Sequence, residues 1–202
     1  MFFDVGEPIE SVLFPHSGMI SIVIPMATGE LIEAGTVARS GVVSGGSLFT
    51  DTALSQALAQ VAGEGSLMPR SIFRDVAFKY EALAKMLDRH DQFMYVQAQQ
   101  AAGCNAVHDV EERMARWLLQ TRDQLETDML PLTQEFLATM LGVKRTSVTA
   151  VARQLQASNL ISYKRGRIAI KDLEGLQDTA CECYYAVKNH HDRLLRFATP
   201  NA

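Results

Sequence analysis

The chain has 202 residues, 48% of them hydrophobic and 21% charged, with a formal net charge of −4 at pH 7. That balance fits a globular protein with one or two cored domains and excludes a wholly basic nucleic-acid coat. No run of about 18 apolar residues is present, so no membrane span is expected, and no secretory signal pattern opens the chain.

Nine of the thirteen glycines fall in the first 65 residues, and four of the six prolines precede Arg70. Between them lie short apolar runs: Val12-Leu-Phe, Met19-Ile-Ser-Ile-Val-Ile, Leu31-Ile, Val42-Val and Leu58-Ala-Gln-Val. Short strands at this spacing predict an antiparallel barrel or roll, with Thr28-Gly29 as a hairpin turn. From Arg70 to Leu130 there is no proline and one glycine, Gly103. Good helix formers dominate there, predicting one long helix over 81–107 with Gly103 as its weak point. Its apolar residues Leu83, Met86, Leu87, Phe93, Met94 and Ala101 exceed what one small domain covers, which predicts pairing with a second copy. Asp109 is placed to cap a following helix from Val110 to about Gln124, with Glu111 and Glu112 at its positive end. The stripe of Val110, Met114, Trp117 and Leu118 is expected to pack on whatever comes next.

Next comes a helix-turn-helix pattern. Phe136, Leu137, Met140 and Leu141 give a first short helix its apolar face, and Gly142-Val143 make the turn. Val148, Val151, Ala152 and Leu155 give the second helix its own face. Arg145, Thr146, Thr149, Ala150 and Arg153 are left pointing outward, where a helix entering a major groove carries its base-reading residues. Ile161 to Lys171 then reads as two short strands joined at Arg165-Gly166, a basic-tipped wing.

Charge follows this division. Residues 1–107 carry six Lys/Arg and eleven Asp/Glu, whereas 108–202 carry thirteen and twelve. Between Phe136 and Lys171 there is no acidic residue, while Lys144, Arg145, Arg153, Lys164, Arg165, Arg167 and Lys171 are all present. A segment holding only cations suits a polyanionic duplex and binds it by releasing counterions. Lys164, Arg165 and Arg167 are therefore expected to hold phosphates.

Roll, long helix and winged helix-turn-helix together resemble the Crp/Fnr family of bacterial transcription regulators. The likeness spans nearly the whole chain. It is sharpest in Val110-Glu-Glu-Arg-Met-Ala-Arg-Trp-Leu-Leu, in Leu130-Pro-Leu-Thr-Gln-Glu-Phe-Leu-Ala-Thr-Met-Leu-Gly-Val, and in Asn159-Leu-Ile-Ser-Tyr-Lys-Arg-Gly-Arg-Ile. Gly6-Glu-Pro-Ile-Glu-Ser-Val-Leu-Phe-Pro-His-Ser-Gly-Met19 looks like the entry to the family's β-roll, which members usually precede by some tens of residues. Part of the roll's first strands is thus expected to be missing.

The resemblance implies an α+β chain in three parts. Residues 1–80 would form a cyclic-nucleotide-binding-like roll, 81–107 a dimerisation helix, and 108–202 the winged helix-turn-helix. It also implies that Thr133, Gln134, Lys144 and Ser147 hold phosphates, as donors at helix starts can. A homodimer on duplex DNA is expected, with RNA polymerase and a small-molecule effector as further partners. Departures from the family carry information. Its Arg-Glu-x-x-x-Arg groove face is here Arg145, Thr146 and Ala150, so base preference should differ. The family's cyclic-nucleotide site uses a Gly-Glu pair and a later Arg. The matching stretch, Gly41 to Ala57, has neither Glu nor Arg, and a buried cyclic phosphate needs cationic or dense N–H partners. Gly45-Gly46 offers only backbone donors, so cyclic AMP is not expected.

Three cysteines, Cys104, Cys181 and Cys183, form no disulfide framework and suggest reduced thiols in a cytoplasm. None precedes Cys104, so the family's N-terminal iron–sulfur sensor is not expected. Cys181-Glu-Cys lacks a second cysteine pair to complete a metal site, and only His190-His191 stand nearby in sequence, so no cofactor or metal is expected. The leading expectation is a sequence-specific DNA-binding regulator without catalytic activity. Two other classes remain open. One is a ligand- or protein-binding module that has lost DNA recognition. The other is a metal-dependent β-roll enzyme, disfavoured because the first 80 residues hold only His16.

Overall fold

The computed structural model describes residues 2–43 and 50–195. Five strands come first: β1 (Ser11–Pro15), β2 (Met19–Pro25), β3 (Leu31–Val37), β4 (Gln56–Val61) and β5 (Gly65–Pro69). β2 lies between β3 and β4, antiparallel to both, while β1 pairs with β5. Phe3, Ile20, Val37, Val43, Ala53 and Ala57 fill the space these strands enclose. Alternation along β2 puts Ile20 inward in this sheet and Ser21 on the opposite face, as pleat geometry requires. The β2–β3 hairpin turns at Thr28-Gly29 as expected, with Gly29 at φ 93°. At the other end of β2, a Cβ on Gly18 would lie 2.5 Å from the Val61 carbonyl oxygen, so only glycine fits where the β2 and β4 chains close. The apolar pair Val42-Val43 forms no strand among the described residues. Val43 makes a lone bridge to Leu13.

The predicted helix over 81–107 is α2 (Glu81–Val107), and it runs unbroken through Gly103. Ahead of it stands α1 (Arg70–Lys79), a helix that the composition of this stretch did not separate from α2. Phe73 and Ala77 of α1 join Val12, Val42 and Leu87 in a small core against the roll. The apolar residues of α2 are spent mainly on the chain itself. Leu87 packs on that core, and Met94 packs on the roll interior. Phe93 packs on Val187 and Leu195 of the last helix. Gln97, also buried, accepts from the Thr36 N–H and donates to the Thr36 carbonyl, each at 3.1 Å, fixing α2 against β3. What α2 leaves exposed is Met86, Tyr95 and Val107, with the small residues Ala102, Gly103 and Ala106 at its C-terminal end.

After the bend at His108, α3 (Val110–Leu125) starts with a capping box. The Asp109 carboxylate accepts from the Glu112 N–H, and Glu112 accepts from the Asp109 N–H, both at 3.0 Å. α3 is the hub of the largest core. Met114, Trp117, Leu118 and Leu119 meet residues from β6 (Met129–Leu130), α4 (Gln134–Leu141), α5 (Arg145–Ala157), β7 (Ile161–Lys164), β8 (Arg167–Ile170) and α6 (Leu173–Thr179). Val23 on β2 belongs to the same cluster, so this core runs continuously into the roll. Each fully buried leucine contributes about 1.5–3 kcal/mol. The chain then closes with α7 (Cys183–Leu195), which packs back along α2.

Candidate nucleic-acid interface

Leu132 sits in the core and Thr133 stops short of it. The Thr133 hydroxyl caps α4 by accepting from the Phe136 N–H at 3.2 Å. α4 ends at Gly142, in the left-handed region at φ 62°, where its N–H closes on Thr139 and Ala138. A Cβ there would stand 3.0 Å from Ile32 of the roll, so glycine serves both the turn and the close approach. The buried guanidinium of Arg113 donates to the Leu141 carbonyl, one of the last acceptors of α4. α5 follows with Val148, Val151, Ala152 and Leu155 buried.

The outward face of α5 is the one expected from the apolar spacing: Arg145, Thr146, Ala150 and Arg153 are exposed and Thr149 is half-buried. Two internal contacts modify it. The Arg145 guanidinium lies 3.5 Å from the Glu135 carboxylate, with both side chains mostly exposed at 66% and 74%. A pair this open is worth about 0–1 kcal/mol and yields readily to a stronger acceptor. Thr149 is less free. Its hydroxyl lies 2.8 Å from Gln134 Oε1 and 3.0 Å from the Arg145 carbonyl, so its one hydrogen is engaged within the motif. Thr149 keeps only lone pairs to offer a base, and Gln134 keeps its Nε2 hydrogens.

Around this face stand the other expected contacts. Lys144 is exposed at the start of α5 and contributes no side-chain cap, and Ser147 is half-buried one turn on. The wing is a tight hairpin with Lys164 opposite Arg167. Arg165 and Gly166 both have positive φ, 49° and 73°, the combination a two-residue primed turn needs. Gly166 lies beside Thr133, with its would-be Cβ 3.5 Å from the threonine methyl, so wing tip and α4 start are neighbours. A left-handed arginine costs about 1–2 kcal/mol. Arg165→Gly is therefore expected to raise thermal stability by roughly 1 kcal/mol. The same change should weaken binding to all duplexes alike, which melting curves and duplex titration would read side by side.

Two polar centres arise only where distant elements meet. On β3, Glu33 accepts from the Trp117 indole N–H and from the Ser21 hydroxyl, each at 2.8 Å. Burial pushes its carboxyl up to about 7, against those hydrogen bonds and the Arg116 guanidinium. Since Trp117 is on α3, the contact joins the roll to the helix-turn-helix unit.

The second centre corrects the expectation for Cys181-Glu-Cys. Its missing partners are Cys104 and His108, one turn apart at the end of α2. His190 and His191 lie elsewhere, beside Arg193 and Ser40. Cys104 Sγ is 3.6 Å from Cys181 Sγ, and Cys183 Sγ is 3.6 Å from His108 Nδ1. One ligand atom from each of the four residues lies within 4.8 Å of all the others. Hydrogen bonding from Cys181, aided by Arg116, pulls the Cys104 thiol down to about 5, while the same contact and burial push Cys181 up. The Cys104–His108 spacing was readable as one helix face. Its meeting with residues 181 and 183 was not.

A cavity of about 230 Å³ opens in the roll beside α2, lined by Ile22, Val37, Val43, Thr50, His90 and Met94 among others. Its described lining holds no arginine or lysine. Gly45-Gly46 lie outside the described residues. Among those residues, no helix is long and apolar enough to cross a membrane.

Residues 112–179 match the family model of the Crp-like helix-turn-helix domain. Solved structures with the same fold include FixK2 from Bradyrhizobium japonicum, at 17% identity and a TM-score of 0.78 over 89% of this chain and 91% of that one. TTHB099, a transcriptional regulator of the CRP family from Thermus thermophilus, matches at 19% identity and a TM-score of 0.71, covering 88% and 95%. CLP, the c-di-GMP responsive global regulator from Xanthomonas campestris, matches at 19% and 0.64, covering 83% and 87%. No curated protein sequence matches the chain.

Proposed function

Given a Crp-like helix-turn-helix domain within the fold of Crp/Fnr regulators, we propose that this protein is a sequence-specific, DNA-binding transcription regulator acting as a cytoplasmic homodimer. The observation that carries the reading is the exposed face of α5. It presents Arg145, Thr146, Ala150 and Arg153 beside a wing with Lys164, Arg165 and Arg167, and no acidic residue lies between Phe136 and Lys171. In this reading Arg145 and Arg153, with Thr146, Thr149 and Ala150, meet base edges. Thr133, Gln134, Lys144, Ser147 and the wing hold phosphates. Thr133 can cap α4 and still donate its hydroxyl hydrogen to a phosphate oxygen.

Residues 1–80 would act as the sensing roll, 81–107 as the dimerisation helix and 108–202 as the DNA-binding part. The dimer face would be formed by Tyr95, Ala102, Gly103 and Ala106, because Leu87, Phe93 and Met94 are used within the chain. Small residues let two backbones approach closely. In this reading the effector is not cyclic AMP, because Gly41 to Ala57 carries neither Glu nor Arg. A role for RNA polymerase belongs to the same reading, which assigns the chain no reaction of its own.

Selection from random duplexes at two salt concentrations tests it. A two-fold symmetric motif is expected. Two protomers with Lys144 and the wing cations engaged should lose about 10³–10⁵ in affinity between 50 and 200 mM salt. Folded protein that enriches no duplex at low salt would leave the reading of a module without DNA recognition.

A further inference from the structure

Cys104, His108, Cys181 and Cys183 are all at most slightly exposed, and no step in DNA recognition uses them. The geometry points to a mononuclear, tetrahedral metal site of the zinc class, with three thiolates and the His108 imidazole as ligands.

The donors fit such an ion in number, type and spacing. At Zn–S distances of about 2.3 Å, tetrahedral ligands stand roughly 3.8 Å apart, and two ligands of one ion are never more than about 4.6 Å apart. The Cys104–Cys181 and Cys183–His108 separations are both 3.6 Å, and all four atoms fall within 4.8 Å. Closing on an ion therefore asks the widest pair to shorten by no more than about 1 Å. The same compactness excludes a multi-iron cluster, whose bridging sulfides hold the ligating sulfurs further apart. Soft thiolates with one imidazole select zinc-like ions over magnesium or calcium. Four protein ligands leave no open position, so the site is structural in kind.

The surroundings support the same reading. A ligating histidine is normally oriented by a carboxylate on its other nitrogen. Here His108 Nε2 is 3.1 Å from the Glu182 carboxylate, which turns Nδ1 toward the sulfurs. Gln100 Nε2 lies 3.0 Å from Cys183 Sγ and can donate to it. Three thiolates around a divalent ion leave one negative charge, and the guanidinium of Arg116 interacts electrostatically with Cys104. Buried, these thiols are also protected from solvent oxidants.

The site has a definite place in the fold. Cys104 lies in the last turn of α2 and His108 caps that helix, Cys181 lies between α6 and α7, and Cys183 is the first residue of α7. An ion would tie the end of the long helix to the C-terminal part across the bend at His108, where α2 gives way to α3. It would thus fix the angle at which α5 is presented. This last consequence rests on the DNA-binding reading, whereas the site itself does not.

Metal analysis of the full chain purified under reducing conditions tests the site directly. One zinc per chain is expected. After chelation, cobalt(II) should restore the visible absorption of a tetrahedral thiolate site at one equivalent. Cys181→Ser should abolish that absorption. Because removing a buried ligand can unfold the chain, Glu182→Gln is the second variant. Its carboxylate is exposed, the fold should be unchanged by circular dichroism, and metal affinity should fall about 10- to 100-fold. Three free thiols with no metal and no cobalt spectrum would overturn the proposal. So would a Cys104–Cys181 disulfide in protein kept reduced throughout, or equal affinity in Glu182→Gln. Duplex binding measured on the same samples, with and without the ion, then reads the hinge role separately from the site.

Discussion

Replacing Arg145 by alanine is expected to remove about 1–3 kcal/mol of discrimination between the preferred half-site and a duplex mismatched at the contacted base pair. Non-specific affinity should change far less. The reason is geometric. Arg145 is the first residue of α5 and is mostly exposed, so its planar fork can reach two acceptors on one guanine edge. Its neighbours on the face cannot replace it. Thr146 offers one hydroxyl, Ala150 a methyl group, and the Thr149 hydrogen is already engaged. Arg153 stands two turns further along α5. Arg145→Lys separates charge from shape, because the cation remains and the fork is lost. It should retain most non-specific affinity yet lose most of the discrimination. Uniform weakening across all sequences in both variants would place Arg145 on phosphate instead of on a base. The Glu135 contact is a weaker lever. Freeing Arg145 with Glu135→Gln should change affinity by no more than the value of an exposed pair.

Glu33→Gln is expected to stabilise the protein at pH 8 by about 2 kcal/mol and to flatten its stability profile below pH 7. A carboxyl with a folded pKa of about 7, raised from 4.5, binds its proton more tightly in the folded state than in the unfolded one. Stability attached to that proton is complete below about 4.5 and is lost as pH rises through about 7. The full difference would be about 3.4 kcal/mol at about 1.36 per unit, and the part-exposed side chain discounts it toward 2. For a chain of this size that corresponds to a melting shift of roughly 4–8 °C. Glutamine keeps the interactions intact. Its oxygen still accepts from Trp117, and its amide can donate to Ser21, whose hydroxyl then turns to Gln60. Parallel melting profiles for the two proteins between pH 5 and 8 would remove Glu33 as the titrating group. Because its partners lie on β2 and α3, losing this proton as pH passes neutrality is expected to weaken the join between the roll and the helix-turn-helix part.

The features legible in the sequence were those encoded by local rules. Helical spacing of Val148, Val151 and Leu155 set which face of α5 is buried, and so which residues face outward. The cap at Asp109, the turn at Gly142 and the hairpin at Arg165-Gly166 depend on backbone chemistry within a few residues. Cations from Lys144 to Lys171 needed only counting. The tertiary structure decided what depends on distant residues meeting. The apolar pattern of α2 could not say whether Phe93 meets a second copy or Val187 of its own chain. Composition could not separate α1 from α2, because no proline or glycine stands between them, and the break is made by the extended backbone of Tyr80. Glu33 carries no local sign of its environment, because the Trp117 indole reaches it only in the folded chain. Cys181 and Cys183 lacked partners in the sequence because a metal-ligand set is a condition on space. His108 and Cys104 meet that condition only once α7 has folded back along α2.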